Sequence, residues 1–159
     1  MATTQAFLSF ERFAVVGASK DRSKFGNKVL RCYAQHQRAV TPVHPKESAI
    51  EGLPAVSSVG QLEAPTNTAV SIVTPPKITL NVISEAAQFG ITHLWLQPGS
   101  EDAAVLQRCS ELGLSVISGG PCLLTELGFD PSYVPAAAAE TRTECMFLPC
   151  GGIRPSSSQ

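Results

Sequence analysis

Apolar residues along this chain fall into short runs that alternate with longer amphipathic stretches. The run Phe13-Ala14-Val15-Val16 reads as a first strand closed by Gly17. A helix is predicted over residues 25–35, where Val29, Leu30 and Tyr33 share an inner side. A second strand is expected over 39–43, stopped by Pro42 and Pro45 around His44. A loop with Gly52-Leu53-Pro54 and a short turn over 58–62 lead to a third strand at 69–73. Pro75-Pro76 suits a helix entrance, and that helix runs to Phe89 before stopping at Gly90. A fourth strand over 93–96 ends at Pro98-Gly99, and a helix over 101–112 starts with acids at the positive end of its dipole. A fifth strand follows at 115–118. Strands alternating with helices predict an α/β protein, an open parallel sheet of about five strands covered on both faces.

The pattern lapses near residue 130. A single domain is therefore expected over residues 1–129, with a partly irregular extension over 130–159 that could pack through Tyr133, Met146 and Phe147. No internal repeat interrupts this order.

Composition narrows the functional classes. Hydrophobic residues make up 43% of 159 and charged residues 16%, enough to bury a core without disulfide or metal. A formal charge of −1 argues against nucleic acid or an anionic membrane as partner, since both call for a basic field. Five cysteines (Cys32, Cys109, Cys122, Cys145, Cys150) form no CxxC pair and read as free thiols. Residues 1–12 lack signal-peptide features and no run reaches membrane-spanning length, so the expected compartment is the cytoplasm.

The chemistry is expected in the loop after the first strand, Gly17-Ala18-Ser19-Lys20-Asp21-Arg22-Ser23-Lys24-Phe25-Gly26. Gly17 lets backbone approach a ligand, Ser19 offers a hydroxyl and an N–H, and Lys20, Arg22 and Lys24 gather beside a helix N-terminus that attracts anions. This is a candidate pyrophosphate cradle; a solvated turn with idle charges is the competing reading. The loop is not the dinucleotide fingerprint, because Ser19 stands where a second glycine belongs. The carboxylate that would accept ribose hydroxyls is missing too, and the chain there reads Val43-His44-Pro45-Lys46. His44 and Lys46 suit a ribose phosphate instead, which favours NADP or coenzyme A over NAD; otherwise they are exposed turn residues.

The ordered series Val15-Val16-Gly17-Ala18-Ser19, Val43-His44-Pro45, Gly52-Leu53-Pro54, Val73-Thr74-Pro75-Pro76, Leu94-Trp95-Leu96-Gln97-Pro98-Gly99 and Pro121-Cys122 resembles the small stand-alone CoA-binding domain proteins. These are similar to the CoA-binding domain of the succinyl-CoA synthetase α subunit. The resemblance covers about residues 10–129. It implies a Rossmann-like sheet of order 3-2-1-4-5 with coenzyme A, or an acyl-CoA, lying across the strand ends. It further implies that Gly17, Ala18, Ser19 and Lys24 hold phosphates, and that Val43, His44, Pro45 and Lys46 flank the adenosine phosphate or pyrophosphate. Val73, Thr74, Pro75 and Pro76 would line the adenine or pantetheine side, and Gln97, Pro98 and Gly99 the far mouth. Two segments depart from the family pattern. Ser118-Gly119-Gly120-Pro121-Cys122 stands where the family reads closer to Asp-Arg-Cys-Pro, and Lys77 follows the double proline in place of a carboxylate.

No catalytic constellation accompanies the cradle. The synthetase needs a phosphorylatable histidine on a further domain, whereas His36, His44 and His93 all lie within this one. Cys122 is the best nucleophile candidate but has no assignable activating partner, so an inert thiol, or one forming a mixed disulfide with coenzyme A, is the reading. Trp95 is assigned to packing, and Cys145 with Cys150 to no metal site. Glu85, Glu101, Asp102, Glu111 and Glu126 are explained by solvation or the helix dipole. Tyr33 and Tyr133 lack a lysine at helical spacing, which counts against a small NADP-dependent oxidoreductase. A non-catalytic coenzyme A-binding module, with a protein partner left open, leads; that oxidoreductase and a vestigial interaction domain are the alternatives.

Overall fold

A computed structural model describes residues 4–118, 122–130 and 132. A short helix α1 (Thr4–Leu8) precedes β1 (Arg12–Val16), α2 (Phe25–Gln35) and β2 (Ala39–Val43). A two-residue hairpin, β3 (Ala49–Ile50) and β4 (Leu53–Pro54), and 3₁₀ turns at Val59–Gln61 and Pro65–Asn67 lead to β5 (Thr68–Ile72). Then come α3 (Pro76–Gln88), β6 (His93–Leu96), α4 (Ala103–Glu111), β7 (Ser115–Ile117) and α5 (Leu123–Leu127). The long elements match the hydrophobic pattern, α2 and β6 residue for residue. The pattern did not reveal α1, α5 or the hairpin.

The sheet is parallel throughout, in the order β2-β1-β5-β6-β7. The Rossmann-like class holds, but the expected order 3-2-1-4-5 does not: the third long strand, β5, pairs with β1 on the side away from β2. Val16 thus stands between Val43 and Ile72. Burial and proline explain the arrangement. All five residues of β5 are buried, which requires strands on both sides and helices on both faces. β2 contains Pro42, which has no N–H to give a ladder and belongs at an edge. Among the described residues no strand extends the sheet beyond it; Val56 closes the end, its N–H donating to the Pro42 carbonyl at 3.1 Å while its own carbonyl accepts from His44 N–H at 2.9 Å.

Alternate residues of β1 feed two cores, as the pleat requires. Phe13 and Val15 pack with Val29, Leu30 and Tyr33 of α2 and with Phe7 and Trp95, whereas Ala14 and Val16 pack with Ile83 of α3 and Val105 of α4. The chain steps one way from β1 to β2 and the other way from β5 to β7. Right-handed crossovers therefore put α2 on one face and α3 and α4 on the other. Trp95 is fully buried, its ring edge-on to Phe7 at 5.3 Å between centroids, in the packing role expected of it. Asp102 caps α4 by accepting from Val105 N–H at 2.9 Å.

Among the described residues, no helix is long and apolar enough to cross a membrane, and no group of three His, Cys, Asp or Glu could hold a metal ion. Tyr133, Cys145, Met146, Phe147 and Cys150, on which expectations about the extension rested, lie outside the described residues, as do Gly119, Gly120 and Pro121.

Candidate functional site

In an open parallel sheet the ligand crevice opens where the strand order reverses, here at the carboxyl ends of β1 and β5. A groove of about 650 Å³ lies there, within the range of small-molecule sites. Its upper wall is the loop after β1. Gly17 leaves β1 at φ +93°, and a Cβ on it would come 2.2 Å from the Val73 carbonyl oxygen of the adjoining strand. Gly26, in the first turn of α2, sits equally close: its Cβ would be 2.0 Å from the Gly17 carbonyl oxygen. The missing side chain of Gly26 thus seats the start of α2 directly on the end of β1, and that of Gly17 lets this end press against Val73. Lys24 is the N-cap of α2 and makes no side-chain cap, so the first amides of the helix are left for a ligand or water.

The loop is shaped by its own polar groups. The Ser19 hydroxyl oxygen accepts from Asp21 N–H at 3.1 Å, leaving the hydroxyl proton available to donate. Asp21 in turn accepts from the amide and hydroxyl of Ser23 at 2.9 and 2.7 Å, and these bonds hold its carboxyl below the usual aspartate range. Beneath lies a buried cluster. Asn27 donates to the Ser19 carbonyl at 2.8 Å and to Glu51 at 2.9 Å, and accepts from Arg31 at 2.6 Å. Arg22 meets Glu51 with two nitrogens, at 2.6 and 3.0 Å. Burial pushes the Glu51 carboxyl up, but hydrogen bonds from Arg22 and Asn27 and the charges of Arg22 and Arg31 outweigh it and hold the group below its ordinary value.

The three loop cations therefore divide. Arg22 is committed to Glu51. Lys20 pairs with Glu47 at 2.8 Å and does not line the groove. Lys24 lines it and has no ion-pair partner among the described residues. Of the turn after β2, Val43, His44 and Pro45 line the groove and Lys46 is exposed outside it. His44 Nδ1 accepts from the amides of Lys46 and Glu47 at 3.0 and 3.1 Å. That pairing puts the proton of the neutral ring on Nε2, which becomes a donor.

Other expected residues lie elsewhere. Val73 lines the groove, but Thr74, Pro75 and Pro76 build the start of α3 instead. The Thr74 and Thr79 hydroxyls meet at 2.8 Å, and Pro75 and Pro76 occupy the N-cap and first helical positions. Gln97 is fully buried and accepts from Leu123 N–H at 3.2 Å. Pro98 and Gly99 are the corners of a turn closed by Ser100 N–H on the Gln97 carbonyl at 2.9 Å, away from the groove lining. Conversely, Phe25, Ser57, Ser58, Val59, Ile78, Val82 and Glu85 line the groove without having been singled out for it. Ile78, Val82 and Glu85 follow helical spacing, but only the strand order tells which face of α3 meets the cleft.

The remaining reactive groups sit apart. Burial and then the nearby Cys122 push the Cys32 thiol up to about 12, and burial also raises Cys109. Cys122 is half-buried at the N-cap of α5, outside the groove. Tyr33 is fully buried with its hydroxyl on Ser71, and burial raises its pKa. His36 bonds the Gly128 carbonyl at 2.7 Å and His93 bonds Thr92 at 2.9 Å, so His44 alone of the three histidines faces the groove.

A family model described as a CoA binding domain matches residues 11–128. A conserved hypothetical protein from Pyrococcus furiosus is 36% identical, with a TM-score of 0.69 over 74% of this chain and 99% of its own. A protein from Thermus thermophilus is 28% identical, with a TM-score of 0.68 over 77% of this chain and 92% of its own. A dinucleotide-forming acetyl-coenzyme A synthetase from Ca. Korarchaeum cryptofilum, in complex with phosphate and ADP, is 25% identical with a TM-score of 0.61; the match covers 68% of this chain and 25% of that one. Among curated protein sequences, none matches the chain.

Proposed function

The chain belongs to the CoA-binding domain family, and on that premise we propose that its groove binds coenzyme A or an acyl-CoA as a module without a reaction of its own. The observation that carries the proposal is the seat of α2: Gly17 and Gly26 bring uncapped helix amides and Lys24 to one wall of the groove. Such an end attracts a pyrophosphate by dipole, by N–H donors and by the charge of Lys24. Ser19 adds a hydroxyl, and His44 Nε2–H adds a donor on the adjoining wall.

Among the described residues, no cysteine lines the groove. Tyr33 is sealed in the core against Ser71, so it cannot serve as the proton donor of an oxidoreductase. The described cysteines are thiols, which suits the reducing cytoplasm.

The test is the thermal midpoint of the purified chain with coenzyme A, dephospho-coenzyme A, NADP and NAD in parallel. A ligand at about 100 times its dissociation constant adds about 2.7 kcal/mol, worth a rise of roughly 5 °C or more in a domain of this size. A rise with coenzyme A that shrinks with the dephospho form is expected. A flat response to coenzyme A would overturn the proposal.

A further inference from the structure

The groove carries a second polar feature that phosphate binding leaves unused. Glu85 lines it from α3, in line with Ile78 and Val82. Pro76 opens α3 beside the strand tips, and a helix advances about 1.5 Å per residue, so Glu85 lies roughly 13 Å further down the helix axis. Val59 and Val82 line the groove with it, as do Ser57 and Ser58. The carboxylate stands against Gly60, with Oε2 within 3.2 Å of where a Cβ would be, and the Phe89 ring blocks that position at 2.7 Å. Glu85 makes no side-chain hydrogen bond or ion pair among the described residues. Ser57, its polar neighbour in the wall, is occupied: its amide and hydroxyl both bond Gln61 Oε1, at 3.0 and 2.7 Å.

A groove-lining carboxylate with no side-chain partner among the described residues is free to accept from a bound ligand. Resting on the nucleotide reading above, we infer that Glu85 reads the base of the bound nucleotide by accepting a hydrogen bond from the exocyclic amine of adenine. The base is the part of a nucleotide that is flat and apolar on its faces, which suits walls of Val59, Ile78 and Val82, and its polar edge then meets the carboxylate. Hypoxanthine presents a carbonyl at the same position, and two acceptors would face each other.

Dissociation constants of ADP, inosine diphosphate and 2′-deoxy-ADP, measured by calorimetry on the full chain, test the inference. Wild type is expected to prefer ADP over inosine diphosphate by about tenfold or more, the worth of one hydrogen bond to a charged acceptor. Glu85→Leu should bring that ratio to about one, and Glu85→Gln should lower it too, because its amide can turn to donate to the hypoxanthine carbonyl. Each ratio is measured within one variant, so a general loss of folded protein cannot imitate the result. Equal affinity of wild type for both bases overturns the inference while coenzyme A binding stands. A Glu85→Leu effect confined to the ADP/2′-deoxy-ADP ratio overturns it in favour of ribose recognition. Failure of both coenzyme A and ADP to bind removes the nucleotide reading and this inference together.

Discussion

The guanidinium of Arg22 and the carboxylate of Glu51 meet at two points, 2.6 and 3.0 Å apart, and so fasten the loop after β1 to the tip of the β3–β4 hairpin. Glu51 occupies that tip in a left-handed conformation, φ +54°, as a two-residue hairpin turn demands. Its side chain is only 6% exposed, and it also holds Asn27, which in turn holds the Ser19 carbonyl. The hairpin thereby becomes the foundation of the loop after β1.

Removing the foundation should cost stability. Glu51→Ala removes the acceptor of two Arg22 nitrogens and of the Asn27 amide. A loss of about 1–3 kcal/mol is expected, below that of a fully buried pair because Arg22 is partly solvated. Urea denaturation measures it, and an unchanged midpoint would show that the contact holds nothing.

The same contact sets a pH dependence. Glu51 titrates below its ordinary value of 4.5 in the folded chain. Its contribution is therefore fully present above about pH 4.5 and is lost as pH falls through the folded-state value. The stability gap between wild type and Glu51→Gln should be constant near neutrality and narrow below that pH. A gap that widens on acidification would reverse the sign and refute the assignment.

Cation sorting predicts unequal mutants. Lys24→Ala should weaken coenzyme A binding by about tenfold or more, as expected for a lost charge-assisted contact. Lys20→Ala, which frees Glu47 instead, should change affinity by about twofold or less. Calorimetric titration of the two variants decides; equal losses would mean that the Lys20–Glu47 pair opens for the ligand.

His44 has two nitrogens with separate tasks. Asparagine can reproduce the Nδ1 acceptor for the amides of Lys46 and Glu47 but not the Nε2–H donor. His44→Asn should keep the thermal midpoint and weaken coenzyme A binding several-fold, whereas His44→Ala should lower both, the midpoint loss corresponding to about 0.5–1.5 kcal/mol. Full affinity in His44→Asn would place the ligand away from Nε2.

Glycine substitutions separate shape from strain. Gly26→Ala drives a methyl into the Gly17 carbonyl at 2.0 Å and should cost more than about 2 kcal/mol. Gly99→Ala meets nothing within 4 Å, and its left-handed φ alone should cost about 1–2 kcal/mol. Circular dichroism melts rank the two, and the reverse order would contradict the packing of α2 on β1.

How far the sequence reached depends on the range of each force. Strand and helix positions follow from local periodicity, so α2 and β6 were legible to the residue. Strand order depends on which edges can pair, and its clue, Pro42, was read only as a stop for the strand rather than as the mark of an outer edge. In the site, Gly17, Ser19 and Lys24 were legible because a turn, a hydroxyl and a helix start are contiguous. The fates of Lys20 and Arg22 were not, since Glu47 and Glu51 reach them from 27 and 29 residues away along the chain. Glu85 reads in the sequence as a solvated helix carboxylate, and only the placing of β5 beside β1 shows that its face of α3 lines the groove.

The tie from Asn27 to the Ser19 carbonyl has a bearing on time as well as on shape. A loop held from beneath by Asn27, and through it by Glu51 and Arg31, has little left to order when a ligand arrives. Encounter should then be fast and nearly the same for every nucleotide that fits, with discrimination expressed in how long each one stays. Loosening that tie would shift the difference into the association step, where a ligand would have to wait for the loop.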